Sequence, residues 1–220
     1  MEQELLQEAE KETVKLNPYR ARTLIEELNN TICKIQNEFV NDSSEYCSQL
    51  SKLWWSPRAI AFHDKLSRKV DDINRELKYL CESTINDACS SFNSIATARG
   101  TGSIYVKAGP FLGYTLTPFK ETDEAGKVGM IISIVKNCTN EYVEILNKLE
   151  RKVDKIPRNI GFYDMNGTLV KTYNTRLDKI MDVVDTSISL IEQEVSISID
   201  EEVNLEEKAE EKALDTLSNK

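Results

Sequence analysis

Two long apolar stripes, parted by a single Ser-Pro, restrict this chain more than any other feature. The first runs through Leu24, Leu28, Ile32, Ile35, Phe39, Tyr46, Leu50 and Leu53. Its steps are threes, fours and one seven, the repeat of an α-helix buried along one face. The second runs through Phe62, Leu66, Val70, Ile73, Leu77, Leu80, Ile85, Ala88, Phe92 and Ile95. Asn17-Pro18 before the first stripe and Ser56-Pro57 before the second are each an N-cap followed by a first helical residue. Two helices of about 35–40 residues with almost no loop between them predict an antiparallel hairpin.

Helical spacing resumes at Ile131, Val135, Cys138, Tyr142, Ile145, Leu149, Val153 and Ile156, and stops at Pro157. It returns at Val170, Tyr173, Leu177, Ile180, Val184, Ile188, Ile191 and Val195. The predicted fold is therefore mainly α, with two antiparallel helical hairpins forming a four-helix bundle and a small β-prone connector. Residues 1–16 read as an amphipathic extension, 17–98 as hairpin 1, 99–129 as the connector and 130–199 as hairpin 2. In the connector, "SIYVKAGPFLGYTL" predicts two short strands around an Ala-Gly-Pro turn. Residues 200–220 hold seven acidic groups between Asp200 and Glu211 and few apolar ones, and read as a solvated, largely disordered tail.

Charge and residue usage narrow the function classes. With 37 acidic against 28 basic residues the net charge is −9, the wrong sign for neutralising nucleic-acid phosphates. The opening "MEQELLQEAEKE" lacks the basic and apolar regions of a cleaved signal, and no stretch reaches the ~18–20 apolar residues that span a bilayer. The expectation is synthesis in the cytoplasm without a classical signal. Five cysteines (Cys33, Cys47, Cys81, Cys89, Cys138) are scattered without CxxC spacing and share the chain with one histidine, His63. That set argues against a metal site and reads as small buried hydrophobes in a reducing compartment. Cys33 and Cys81 fall at similar heights across hairpin 1. No cofactor is expected: no Gly-rich loop precedes a helix, His63 has no nucleophile near it in sequence, and the carboxylates interleave with lysines as on solvated helix faces.

A shift of 100 residues aligns "SPRAIAFHDKLSRKVDDINREL" with "IPRNIGFYDMNGTLVKTYNTRL", giving eleven identities over 32–77 and reading as an internal repeat. The second copy contains "FYDMNGTLV" (162–170), which resembles the aspartate loop of haloacid-dehalogenase phosphatases. The resemblance covers Asp164 and Gly167-Thr168 and breaks between them. Asn166 stands where the second aspartate belongs, and the 56 residues that follow are too few for the sheet such an enzyme needs. Asn166-Gly167 instead predicts a tight type I′ turn in a small hairpin, "GFYDM-NG-TLVKT".

The stretch "LSKLWWSPRAIAFHDKL" (50–66) places Trp54 and Trp55 at the tip of hairpin 1. Such residues either plug the end of a bundle or project as aromatic anchors for a partner. A long helix, a W-x-G turn, then a small residue and an aromatic on a second helix resembles the WXG superfamily, the early-secreted-antigen-like proteins handled by type VII secretion systems. Trp54-Trp55-Ser56 fills the W-x-G slot, followed by Ala59 and Phe62. The resemblance covers 17–98 and, more weakly, 130–198, where Asp154-Lys155-Ile156 replaces the tryptophan motif. It implies a non-enzymatic interaction protein, a fused pseudo-dimer of hairpins, with Trp54, Trp55, Ser56 and Phe62 meeting a protein partner. That partner is secretion machinery, a co-secreted protein or a second copy. The chain departs from the family in having serine for glycine and no tyrosine followed four residues on by an acid after helix two. A competing reading treats 103–119 as the membrane-active β-tongue of a helical pore-forming protein, and a third is a purely structural self-assembling bundle.

Overall fold

The computed structural model of the chain describes residues 14–54, 57–114 and 128–218. The elements run α1 (Pro18–Leu53), α2 (Pro57–Ala98), α3 (Val128–Asp154), β1 (Asn159–Tyr163), β2 (Leu169–Asn174) and α4 (Leu177–Ser218). The protein is mainly helical with one small two-stranded antiparallel sheet. No helix among the described residues is long and apolar enough to cross a membrane.

The start of α1 is built as its sequence predicts. Asn17 Oδ1 accepts the Arg20 amide at 3.0 Å, the N-cap bond to the third helical residue, and Pro18 takes the first position. α2 likewise opens on Pro57, while Trp55 and Ser56 lie outside the described residues.

The chain divides into two compact units. The first comprises Met1–Asn37, Glu76–Phe111 and Lys152–Met181. Its interior gathers Ile25, Leu28 and Ile32 of α1, Ile85 and Phe92 of α2, and Ile160 and Phe162 of β1, all buried. Phe92 and Phe162 meet edge to face at 5.4 Å, a geometry that adds about 0.5–1.5 kcal/mol beyond area burial. Residues 14–17 run alongside the hairpin: Asn17 donates to Tyr163 O at 2.8 Å and Met165 donates to Lys15 O at 3.3 Å. Leu16 is thereby buried, and the part of the expected amphipathic extension that is described is extended rather than helical.

The second unit comprises Glu38–Arg75, Leu112–Arg151 and Asp182–Lys220. Tyr46 and Leu50 of α1, Trp54 just beyond it, Phe62, Leu66 and Val70 of α2, Tyr142 and Leu146 of α3, and Val184, Ile188, Ile191 and Val195 of α4 are buried there. Tyr46 and Tyr142 lie 4.9 Å apart between ring centres. Ion pairs at the rim join Lys148 to Asp42 at 2.6 Å and Lys65 to Glu194 at 3.6 Å. Both are solvated, and such pairs contribute little to stability.

Three expectations change. The strands fall at 159–174 rather than in the connector, so helical spacing from Val170 misleads and α4 starts only at Leu177. Val170 and Tyr173 are residues of β2, so their helix-like spacing of three does not belong to α4. In 101–114 no strand forms, although Ile104 and Val106 are buried. Asparagine side chains take the place of a sister strand there. Asn93 donates to Ile104 O at 2.9 Å and accepts from Ile104 N at 2.8 Å. Asn29 does the same for Gly109, at 2.7 and 3.0 Å. Residues 115–119, the rest of the proposed tongue, lie outside the described residues. Finally, the acidic tail is helical: α4 continues to Ser218, well exposed beyond residue 200. Ala, Leu, Glu and Lys dominate it, and extending a helix whose nucleus is already formed needs no new nucleation.

The eleven matched positions do not share local structure throughout. Phe62, Asp64 and Val70 are helical, whereas Phe162 and Val170 are strand residues and Asp164 begins a turn.

Candidate functional site

The tip between α1 and α2 is the site singled out by sequence. α1 ends at Leu53, and the Trp54 amide still bonds back to Leu50 O at 3.1 Å. This swings the Trp54 side chain inward, where only 1% of it is exposed. Its ring lies 5.5 Å from that of Phe62, itself 5% exposed, with Ala59 fully buried beside them. The aromatic after the turn therefore receives the tryptophan in the interior. Trp54 Nε1 has no hydrogen-bond partner among the described residues, so the ring is held by packing. Trp54 and Phe62 are interior groups, and the anchor reading does not fit either of them. The large apolar side chains that the tip shows to solvent, among its described residues, are Leu53, 53% exposed, and Ile60, 37% exposed. Sequence reading missed that pair because both sit on the stripe or next to it, and only the turn geometry tells which apolar residues face out.

His63 follows Phe62 and is buried. Burial holds its imidazole below the usual range, against the opposing pull of Asp64 and the Cys47 backbone. Nearby, Tyr114 donates to Ser67 Oγ at 3.2 Å and contacts Cys47 Sγ at 3.4 Å. Burial raises both the Cys47 thiol and the Tyr114 phenol, so neither is an activated nucleophile at neutral pH.

Asp164 occupies the turn of the β-hairpin. Its Oδ1 accepts the Asn166 amide at 2.8 Å and the Thr168 amide at 2.9 Å, while Asp164 N donates to Thr168 O at 2.9 Å. Gly167 donates to Asp164 O at 3.1 Å and has φ 84°, the only positive value in the loop. A type I′ turn needs positive φ at both central residues, so the expected turn type is replaced by a type I turn closed by a left-handed glycine. The register slips between Phe162 and Tyr163, leaving Val170 without an opposite residue. The carboxylate that resembled a phosphatase nucleophile is committed to two loop amides.

An open cavity of 370 Å³ beside α1 and α3 is lined by Asp42, Glu45, Glu141 and Glu144, with Lys148 and Tyr46. These acids face water and Lys148 is held in its charged form by Asp42. Among the described residues no group of three histidines, cysteines or acids is placed to hold a metal ion.

No protein-family model matches the chain, and no curated protein or solved structure is significantly similar to it.

Proposed function

We propose that the protein is a non-enzymatic protein-interaction module, WXG-like in plan and associated with type VII secretion, either as a secreted factor or as a carrier for one. In this reading α1 and α2 form one antiparallel hairpin, α3 and α4 form the second, and the two pack as a four-helix bundle. Within the second unit, contacts of the α1 end with α2 (Trp54, just past α1, on Phe62), of α1 with α3 (Tyr46–Tyr142) and of α2 with α4 (Lys65–Glu194) support that arrangement. The observation that carries the reading is the tip itself: a buried tryptophan just past the end of α1, then a buried small residue and a buried aromatic on the first turns of α2, with Leu53 and Ile60 exposed. The buried three fix the shape of the turn, and the exposed apolar pair provides the contact. The partner is a protein: secretion machinery, a co-secreted chain or a second copy.

The test compares Leu53→Glu/Ile60→Glu with the intact protein. Both should show the same circular dichroism and melting, since the two side chains are solvated, but the variant should lose the partner captured by the unaltered chain. Equal capture by folded protein of both kinds would remove the tip from the interface.

A further inference from the structure

Cys33 on α1 and Cys81 on α2 converge on one atom. Asn29 Oδ1 lies 3.6 Å from Cys33 Sγ and 4.0 Å from Cys81 Sγ. Both sulfurs thus share one acceptor between the two helices. Both are buried, at 5% and 0% exposure, and both are reduced in this structure. The same Asn29 oxygen accepts the Gly109 amide, while Asn29 Nδ2 donates to Gly109 O. One asparagine thus ties the two thiols to the irregular segment that follows α2.

We propose that Cys33 and Cys81 are a redox-modification site, closed to a disulfide by a hydroperoxide oxidant. The Cys33 sulfur attacks the terminal peroxide oxygen; an S–O bond forms, the O–O bond breaks, and with hydrogen peroxide one water leaves. The Cys81 sulfur then attacks the Cys33 sulfenic sulfur, an S–S bond forms, and the hydroxyl departs as a second water with the Cys81 proton. Two thiols are oxidised by two electrons in total and the peroxide is reduced by two.

The order of attack follows from the surroundings. The Cys81 side chain donates toward Cys33 and draws its thiol below the usual range, helped by the Gly109 backbone against burial. Cys81 is driven upward by Cys33 and by its own burial. Cys33 is the more readily ionised of the two and attacks first, and Cys81 is the resolving thiol. The other three cysteines are raised, in each case chiefly by burial, with Glu141 adding to it at Cys138. On closure Asn29 Oδ1 loses its thiol contacts and keeps the Gly109 amide, so the bond reports to the 101–114 segment.

The experiment treats the reduced, folded, full-length protein with equimolar hydrogen peroxide, followed by non-reducing peptide mapping and dimedone trapping. The expected product is a single Cys33–Cys81 cross-link with the loss of two hydrogens, reversed by dithiothreitol, and altered hydrogen exchange at Gly109. Cys81→Ser should leave a dimedone-trappable sulfenic acid on Cys33, Cys33→Ser should leave Cys81 a free thiol, and Cys89→Ser should behave as the unaltered chain. Circular dichroism verifies folding of each variant. Oxidation spread over all five thiols, a cross-link between other cysteines, or no oxidation of the folded protein would each overturn the proposal. The proposal does not depend on the partner-binding reading.

Discussion

Replacing Asn93 by leucine isolates the device that holds the connector without a sheet. The side chain makes two neutral hydrogen bonds to Ile104, donating at 2.9 Å and accepting at 2.8 Å, in a half-buried setting. Each such bond contributes about 0.5–1.5 kcal/mol net, and stranding the Ile104 groups beside a leucine adds to the loss. Water reaches part of the site, so the lower half of the sum, about 1–2 kcal/mol, is expected. For a chain of this size each kcal/mol shifts Tm by about 2–4 °C, so melting should fall by about 2–8 °C. The sharper readout is local. Amide exchange at Ile104 should accelerate in Asn93→Leu, whereas Asn93→Asp keeps the acceptor for that amide and should preserve protection. The aspartate should nevertheless lower Tm, because its second oxygen faces the Ile104 carbonyl. Unchanged protection at Ile104 in the leucine variant would refute the clamp and mean that packing of Ile104 and Val106 alone fixes the segment.

Trp54→Ala should cost about 3–5 kcal/mol by opening a cavity at the tip. Trp54→Phe should cost far less, since the indole nitrogen has no partner to lose; a thermal melt of both variants checks the difference. Asp164→Ala should destabilise the hairpin by about 1–3 kcal/mol by releasing two amides, and Asp164→Asn, which keeps an acceptor, should recover most of that in a urea titration. His63 titrates lower when folded than its ordinary 6.5, so between those values the unfolded chain binds more protons. Its contribution to stability is full above about pH 6.5 and is lost as pH falls toward the depressed folded value. Urea midpoints measured between about pH 7.5 and 5 should decline for the unaltered protein and decline less for His63→Gln.

The helices were legible wherever the apolar stripe had room to repeat. α1, α2 and the end of α3 fall close to where periodicity and the Asn17-Pro18 and Ser56-Pro57 signals put them, because each helix buries one continuous face. The hairpin turn at Asn166-Gly167 was also readable, although its type was not: the sequence shows which residues tolerate positive φ, not which of them must adopt it. Reading failed where a local pattern had two solutions. "TLVKTY" suits a helix stripe and a strand equally, and only the partner strand Asn159–Tyr163 decides between them. "SIYVKAGPFLGYTL" has strand composition, yet its backbone bonds go to Asn29 and Asn93, which are far away in sequence. At the tip, composition marked the right place but not the right surface. Trp54 and Phe62 turn inward together, and the exposed pair Leu53 and Ile60 emerges only once α1 is seen to end at Leu53.

The proposed role as a partner-binding passenger or carrier of a type VII system has a direct test. The most direct measurement follows the full-length protein in the medium and in the cells of a strain whose type VII system is active, with and without the secretion ATPase. The account predicts extracellular protein in the intact strain and retention inside cells when the ATPase is absent, with a cytosolic control protein confirming that cells are not lysing. Protein confined to the cytosol of the intact strain, or released equally without the ATPase, would contradict it.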